Sequence, residues 1–249
     1  MEVIMKITLL RHATCLIEFE NTRFLLDPIF YNKGTLSPAN GGQLINNPLV
    51  DMEAKDIDLS NIDAILLTHP HRDHFDERII EIYGENVKII CPSYFEETIS
   101  NVGFNNILSI DDTIKFKDIS IKSTNARHGI GEIESIMGKS FGFILDSSNE
   151  GKLYITGDTV WCDEVKTVLN NEKPEYILAF SGNAVLNGNK ITMGKYDIEQ
   201  ILINSKDSIV LPIHLEAWNH CILKREELTN LNHRIKVLNN SESITLSNK

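Results

Sequence analysis

The sequence predicts an α/β fold, and three observations support this class. Three strand patterns follow one another at the start of the chain, within residues 3–26. Strand and helix patterns then alternate through both halves. Apolar runs such as 65–67 and 176–180 are continuous rather than alternating, as in strands that are covered on both faces of a sheet. Periodicity by itself supports no finer class than α/β.

The individual elements follow from local patterns taken in chain order. The turn at 20–22 predicts that the second and third strands form a hairpin, and Ser93 suits the N-cap of a helix. Residues 31–50 are rich in Asn, Gly and Pro, which predicts a functional loop, either a lid or a wall beside a site. The predicted strands cover residues 3–10, 14–20, 22–26, 65–67, 87–91, 107–110, 113–116, 119–123, 139–145, 152–155, 176–180, 208–213, 235–238 and 243–246. The predicted helices cover residues 75–82, 93–100, 163–170, 195–204 and 224–231.

Composition and charge narrow the function classes. The length of 249 residues, with 42% hydrophobic and 24% charged residues, suits a single domain spanning 1–249. A net charge of −11 repels phosphate backbones, so we expect no nucleic-acid partner. Because the chain shows neither a secretory leader pattern nor an apolar run of ~20 residues, we expect no membrane partner. Four scattered cysteines without a Cys-x-x-Cys pair indicate reduced thiols and a cytoplasmic location. Whether the chain forms a homo-oligomer stays open.

A dense cluster of metal-binding side chain types follows the apolar run at 65–67. The segment 68–74 reads Thr-His-Pro-His-Arg-Asp-His and lies just before the helix predicted at 75–82. One loop histidine is usually just solvated, but three histidines with an interleaved aspartate after a strand indicate a metal site. Imidazole and carboxylate suit zinc, manganese or iron. In a tight turn His69 and His71 can point one way while Asp73 and His74 point another, enough to serve two adjacent metals.

The motif Thr-His-x-His-x-Asp-His after a strand resembles the signature of the metallo-β-lactamase fold hydrolases. The resemblance implies a four-layer αββα sandwich, with two mixed sheets face to face and helices outside. It also implies further ligands from later loops, and the chain offers His128, Asp158 and His214, each at the end of an apolar strand. Taken alone, each has an ordinary alternative as a hydrogen-bonded residue or, for Asp158, as a turn and helix cap.

The resemblance assigns these residues to two metals. The ligands implied for the first metal are His69, His71 and His128. The ligands implied for the second metal are Asp73, His74 and His214. Asp158 would bridge the two together with a water or hydroxide. Asp27, at the end of the run Phe-Leu-Leu-Asp-Pro, would accept hydrogen bonds from the metal-binding loop without touching a metal; a simple Asp-Pro turn is the alternative.

The start of the chain resembles one branch of this family. Residues 11–18 read Arg-His-Ala-Thr-Cys-Leu-Ile-Glu and are similar to the Gly-His-Ala/Ser-x-x-Leu-Ile-Glu start of the ascorbate-6-phosphate lactonases and of N-acylphosphatidylethanolamine phospholipase relatives. The chain departs from the pattern at Arg11, where the branch usually has Gly. His12 is expected at the floor of the cleft, with a satisfied buried histidine as the alternative.

The expected function is a metal-dependent hydrolase that cleaves an ester, lactone or phosphoester of a small anionic metabolite. Zinc is the first expectation for its two divalent ions, manganese the second, and iron is admitted by the same ligands. The residues expected to take part in catalysis are Asp73, Asp158 and His12. The residues expected to contact substrate are Arg11, Trp161, Trp218 and His220, with packing at the rim as the alternative for the last three. Arg11, Lys33 or Arg127 would offset the acidic surface locally.

Two alternatives remain from the sequence. The first is a mononuclear iron oxidoreductase of the persulfide-dioxygenase type on the same scaffold. Its implied ligands are His69, His71, His128 and Asp158. The second is a metal-binding protein without catalytic activity, because a fold does not fix a function.

Overall fold

Two mixed β-sheets lie face to face in the computed structural model, which describes residues 5–54 and 56–247. The strands of the first sheet are β1 Met5–Arg11, β2 Thr14–Phe19, β3 Thr22–Leu26, β4 Ala64–Leu66, β5 Ile89–Pro92, β6 Ile107–Ile110 and β15 Glu242–Leu246. The strands of the second sheet are β7 Thr113–Phe116, β8 Ile119–Ala126, β9 Ser140–Ser147, β10 Gly151–Ile155, β11 Tyr176–Phe180 and β14 Ile209–Ile213. A separate short hairpin consists of β12 Val185–Leu186 and β13 Asn189–Lys190.

Helices cover the outer faces of both sheets. The α-helices are α1 Ile79–Tyr83, α2 Glu96–Val102, α3 Glu132–Met137, α4 Asp163–Glu172, α5 Lys195–Asn204 and α6 Arg225–Leu228. A 3₁₀ turn, Ser93–Phe95, leads into α2. Across the described ranges 5–54 and 56–247, no helix has the length and apolar character needed to cross a membrane.

Alternating side chains build three apolar layers. In β3, Phe24 and Leu26 enter the core between the sheets, whereas Leu25 packs on the opposite face against α1 and α2. In β11, Leu178 enters the core between the sheets and Ile177 packs beneath α4 and α5. A strand whose two faces are both buried reads as a continuous apolar run, which explains the sequence pattern. The layers follow the order αββα, so the implied sandwich is confirmed.

Several predicted elements differ from the structure. The helix predicted at 75–82 is shorter, because 72–78 form turns that carry the metal-binding motif. Residues 235–238 form no strand; Ile235 makes only an isolated bridge to Val210. Ser93 begins the 3₁₀ turn instead of capping a helix. The short helix α3 and the β12–β13 hairpin were not predicted. Residues 3–4 of the first predicted strand lie outside the described residues.

Candidate metal centre

Six strand ends bring the predicted site residues to one edge of the sandwich. In the first sheet β1 and β3 both run antiparallel to β2, and β4 is parallel to β3, so their carboxyl ends share an edge. In the second sheet the same holds for β8, β10 and β14. Such an edge is where open sheets present ligand-binding side chains. The residues that follow these six strands are His12, Asp27, His69, His128, Asp158 and His214.

The backbone bends sharply where these side chains leave the strands. His12, Asp27 and His214 have positive φ angles of 60°, 39° and 66°, a conformation that costs about 1–3 kcal/mol for a non-glycine residue. Gly157, just before Asp158, has a φ of 61°, and a Cβ at this position would lie 2.1 Å from the carbonyl oxygen of Phe141. Strain of this kind persists only where the surrounding structure enforces it, so this edge holds its side chains in place.

Among the described residues three groups of candidate ligand atoms lie close together, and two of them contain the implied sets. The remaining group consists of Asp27, His69 and His74. His69, His71 and His128 each offer one nitrogen, and these nitrogens lie within 4.8 Å of one another. The second group, within the same limit, contains one more residue than expected. Its members are His12, Asp73, His74 and His214. His12 joins it because its Nε2 lies 3.4 Å from Asp73 Oδ2.

Asp158 lies between the two groups. Its Oδ2 is 3.4 Å from Nε2 of His128, in the first group, and 3.5 Å from Nε2 of His74, in the second. Its Oδ1 is 3.5 Å from His214 Nε2. The side chain is only 2% exposed. This carboxylate therefore faces both groups at once, the position that a bridging ligand requires.

Asp27 lies beneath the motif and orients two of its histidines. One of its oxygens accepts a hydrogen bond from the backbone N–H of Thr68 at 2.8 Å. The other accepts from the Thr68 hydroxyl at 2.6 Å and from His74 Nδ1 at 2.8 Å. Since the Thr68 hydroxyl donates to Asp27, it accepts from His69 Nδ1 at 3.0 Å. Asp27 thus fixes the tautomer of His74 directly and that of His69 through Thr68, as expected of a residue that supports metal ligands.

Two further supporting contacts were not predicted. His128 Nδ1 donates to the backbone carbonyl of Ile191 at 2.7 Å. His214 Nδ1 lies 3.3 Å from Cys221 Sγ, within hydrogen-bonding distance for a sulfur atom. A backbone carbonyl leaves no mark in a sequence, and Cys221 has no spacing that points to this role. Thr68 is the exception, because it opens the motif itself.

The carboxylates and histidines of the centre shift one another's protonation. Burial by itself lowers the pKa of His74 and of His214, but the charges of Asp158 and Asp73 outweigh it. The pKa of His74 lies well above its usual value, and that of His214 rises to about 10. For His69 burial dominates and holds the pKa well below the usual value, and for His128 it lowers the pKa to about 4. The centre therefore favours positive charge beside its two carboxylates.

These donor atoms fit divalent metal ions. With Nδ1 engaged in His69, His74 and His128, the Nε2 lone pair of each ring is free for a metal. Within the part of the chain that the structure describes, His69 Nε2 is buried without a hydrogen-bond partner. The Nε2 atoms of His74 and His214 lie 3.1 Å apart. Imidazole nitrogens and carboxylate oxygens that are buried this close together are stabilised by a bound cation. A ligand set of nitrogen and oxygen atoms suits zinc, manganese or iron.

A cleft of about 500 Å³ opens beside the centre. Its floor includes His71, Asp73, His128 and Asp158. His220, one of the predicted substrate residues, also lines it. The Nε2 atom of His220 lies 3.6 Å from Asp73 Oδ2. Its Nδ1 is buried and has no hydrogen-bond partner among residues 5–54 and 56–247. His220 is therefore placed to meet a molecule in the cleft.

Three other predicted substrate residues lie elsewhere, which corrects the expectation. Trp218 is fully buried and stacks on His12 with ring centroids 5.1 Å apart. Trp161 packs on the α4 side of the second sheet, with Lys166 Nζ 5.7 Å from its ring. Arg11 is 1% exposed, and burial lowers the pKa of its guanidinium to about 10. His12, predicted at the cleft floor, is buried between Trp218 and His214 and reaches the centre through Asp73.

Arg11 instead closes the base of the long loop 31–50. Its guanidinium donates to the carbonyls of Ile29 and Tyr31, before and at the start of the loop, and to that of Val50 at its end. The distances are 3.0, 2.9 and 3.1 Å respectively. A guanidinium can satisfy several carbonyls because it carries five N–H donors. Arg11 therefore fixes one wall of the cleft.

Asn219 holds the middle of the same loop. Its Oδ1 accepts from the backbone N–H of Ala39 at 3.0 Å and from Asn47 Nδ2 at 2.7 Å. Its Nδ2 donates to the carbonyls of Ala39 at 2.9 Å and Gln43 at 2.7 Å. All four hydrogen-bonding positions of the amide are used. Of the two predicted forms of this loop, a lid or a wall, the structure has the wall.

Proteins of similar sequence and structure include metal-dependent hydrolases, in agreement with a metal site at this edge of the sandwich. The family model for the beta-lactamase superfamily domain matches residues 22–214. The UPF0173 protein YddR of Bacillus subtilis (strain 168) is 33% identical over 232 residues, 91% of this chain and 91% of that protein. A UPF0173 metal-dependent hydrolase of Methanosphaera stadtmanae is 30% identical over 183 residues, 70% of this chain and 73% of that one. The crystal structure of isothiocyanate hydrolase from Delia radicum gut bacteria matches with a TM-score of 0.91 at 29% identity, covering 98% of this chain and 100% of that one.

Proposed function

This chain belongs to the beta-lactamase superfamily and, within it, to the UPF0173 metal-dependent hydrolases, and from that premise we propose a binuclear mechanism. The groups around His69 and Asp73, with Asp158 between them, would hold two divalent metals, which would supply a hydroxide nucleophile for cleavage of an ester, lactone or phosphoester bond of a small molecule. The observation that carries the proposal is the position of Asp158 between two complete ligand groups.

The residues of the chain divide the work. Divalent ions at this site supply a hydroxide nucleophile at neutral pH and polarise the substrate oxygen. Asp27 keeps the lone pairs of His69 and His74 directed at the centre. His12 holds Asp73 from the buried side, and His220 faces the same carboxylate from the cleft, where its ring can orient a substrate oxygen.

The lining of the cleft argues for an uncharged substrate rather than the expected anionic metabolite. Arg11 is engaged beneath the loop 31–50, and Arg127 pairs with Glu134. Neither these residues nor Lys33 lines the cleft. Among the described lining residues Arg72 alone carries a positive charge, and it donates to Ser37 at the rim. Apart from the proposed metal ions, the lining therefore offers a single cation to a negatively charged group, so we propose an ester or lactone rather than a phosphoester.

A second candidate reaction is the hydrolysis of an isothiocyanate. It is favoured by the likeness to the isothiocyanate hydrolase, at 29% identity over nearly the whole of both chains. Water would add across the C=N bond of R–N=C=S, and cleavage of the C–N bond would then release the amine R–NH2 and carbonyl sulfide. This substrate is small and uncharged, so it suits the same cleft and the same nucleophile.

Metal content and turnover together test the proposal. We expect elemental analysis of the reconstituted protein to find two divalent ions per chain, with zinc or manganese supporting hydrolysis of a neutral ester, a lactone or an isothiocyanate. One iron per chain with oxygen consumption would instead support the mononuclear oxidoreductase. Metal binding without turnover of any of these substrates would support a metal-binding protein that is not a catalyst. We also propose a cytoplasmic location, which the four unpaired buried cysteines support.

A further inference from the structure

We propose that one side of the cleft binds an apolar substituent of the substrate, through a surface that we call the apolar wall. The wall consists of Ile136 and Met137 of α3, Leu186 of the β12–β13 hairpin, and Ile191 just after it. The inference rests on the proposed function, because the substituent belongs to the molecule that is cleaved at the metal centre.

The exposure pattern of α3 points to this role. The helix is only six residues long; Ile133 is buried and Ile136 is 64% exposed. Isolated exposed apolar residues are common on protein surfaces. Ile136, however, lies on the cleft together with three other apolar side chains. A contiguous apolar surface beside polar groups is the usual composition of a small-molecule site.

The wall has its own apolar support and is not a loose flap. Ile133, Ala184 and Ile191 form a small buried cluster, and Met137 and Leu186 pack against it. The backbone N–H of Ile191 donates to the carbonyl of Ala184 at 3.0 Å. The surface that faces the cleft is therefore the outer side of a packed unit.

The wall is also tied directly to the metal centre. The carbonyl of Ile191 accepts the hydrogen bond from His128 Nδ1 at 2.7 Å. One residue thus contributes its side chain to the wall and its backbone to the orientation of a metal ligand. This link fixes the distance between a bound substituent and the reacting bond.

The apolar wall offers no partner for a negatively charged substituent. Its four side chains are uncharged, and residues 37–40 of the cleft lining carry no charged side chain either. Without a cation at the apolar wall itself, burial of an anion there is unfavourable, whereas burial of an alkyl or aryl group is favourable. The structure therefore favours an uncharged substrate with an apolar tail.

A series of esters tests the wall on the metal-loaded chain. We expect kcat/KM to rise about twofold per added methylene from p-nitrophenyl acetate to the butyrate and the hexanoate. A twofold rise corresponds to about half of the free energy gained when a methylene group is fully buried. The p-nitrophenyl monoester of succinate, which carries a carboxylate on a chain of similar length, should react about tenfold more slowly than the butyrate. Ile136→Asn should flatten the series. Ile203→Asn is the matched control, because Ile203 is 62% exposed but lies on α5, away from the cleft.

Binding of uncleaved analogues separates the wall from the reaction. The affinities of N-alkyl acetamides, measured by calorimetry, should rise with chain length in the wild type and in Ile203→Asn, and not in Ile136→Asn. A flat binding series in the wild type, equal effects of the two substitutions, or a preference for the succinate ester would overturn the inference. If the amides show the expected series while no ester, lactone or isothiocyanate is cleaved, the proposed function fails and the wall stands.

Discussion

Replacing Asp27 by asparagine perturbs the centre without changing the size of a side chain. The asparagine amide has only one acceptor oxygen. Its NH2 group must therefore face one of the two sets of donors whose hydrogen bonds Asp27 accepts. The backbone N–H of Thr68 cannot adapt, whereas His74 can move its proton to the other nitrogen. We therefore expect the amide nitrogen to face His74. That ring would then carry its proton on Nε2, the atom that the metal needs.

The magnitude follows from the role of Asp27 as an orienting group. Loss of such a partner typically lowers metal affinity by about 10- to 100-fold, which corresponds to about 1.4–2.8 kcal/mol. The free energy of unfolding of the metal-free protein should change less. Burial raises the pKa of Asp27, so the buried charge itself is costly, and its removal offsets part of the lost hydrogen bonding.

The assay is a chelator competition that measures the dissociation constant of zinc, with circular dichroism as a control for folding. Asp76→Asn is the matched control variant. Asp76 is also fully buried and accepts hydrogen bonds from Phe30 and Arg78, but none from a histidine. Its substitution should lower the melting temperature and leave zinc affinity unchanged. Equal losses of affinity in the two variants, or unchanged affinity in Asp27→Asn, would refute the tautomer argument.

Four further outcomes are expected. Asp158→Ala should reduce turnover by several orders of magnitude, and excess metal should not restore it. Excess metal should partly restore the activity of Asp27→Asn, and activity assays during metal titration compare the two variants. Because the pKa values of His74 and His214 are both raised, a metal must displace protons from these rings, and calorimetry in buffers of different ionisation enthalpy should show proton release at pH 7. The pKa of His214 is raised from 6.5 to about 10, so protonated His214 stabilises the metal-free fold. This contribution should be complete below pH 6.5 and should be lost as the pH rises towards 10, and denaturant titrations at a series of pH values measure it. Asn219→Ala should increase hydrogen exchange in 37–47 and raise KM, with metal content unchanged.

The fold and the candidate metal ligands can both be predicted from the sequence, for one physical reason. Each ligand comes shortly after an apolar strand. Strands that are buried on both faces are the elements most easily recognised in a sequence, because they are continuous apolar runs. The motif at 68–74 places three histidines and an aspartate together without any long-range information. His128, Asp158 and His214 follow β8, β10 and β14, and because these strands run in the same direction their carboxyl ends meet at one edge. The structure brings all seven implied ligands together.

The residues around the substrate are harder to predict, because their roles depend on contacts between distant segments. An arginine beside a site motif suggests a substrate contact, and only the folded chain shows Arg11 donating to three backbone carbonyls. A tryptophan near a site suggests a binding surface, but Trp218 is fully buried against His12. Helix α3 and the β12–β13 hairpin are too short to leave a periodic pattern. The support of His128 by a backbone carbonyl leaves no pattern at all.

The departure at Arg11 connects these observations to specificity. In the branch pattern that residues 11–18 resemble, this position is glycine, which has no side chain to reach the loop 31–50. In this chain the guanidinium ties both ends of that loop, and Asn219 ties its middle. A loop fixed at three places pays little conformational entropy when a substrate binds, so the shape of the cleft is set before binding. We therefore expect selectivity to come from the side chains that line this preformed space, among them the proposed apolar wall.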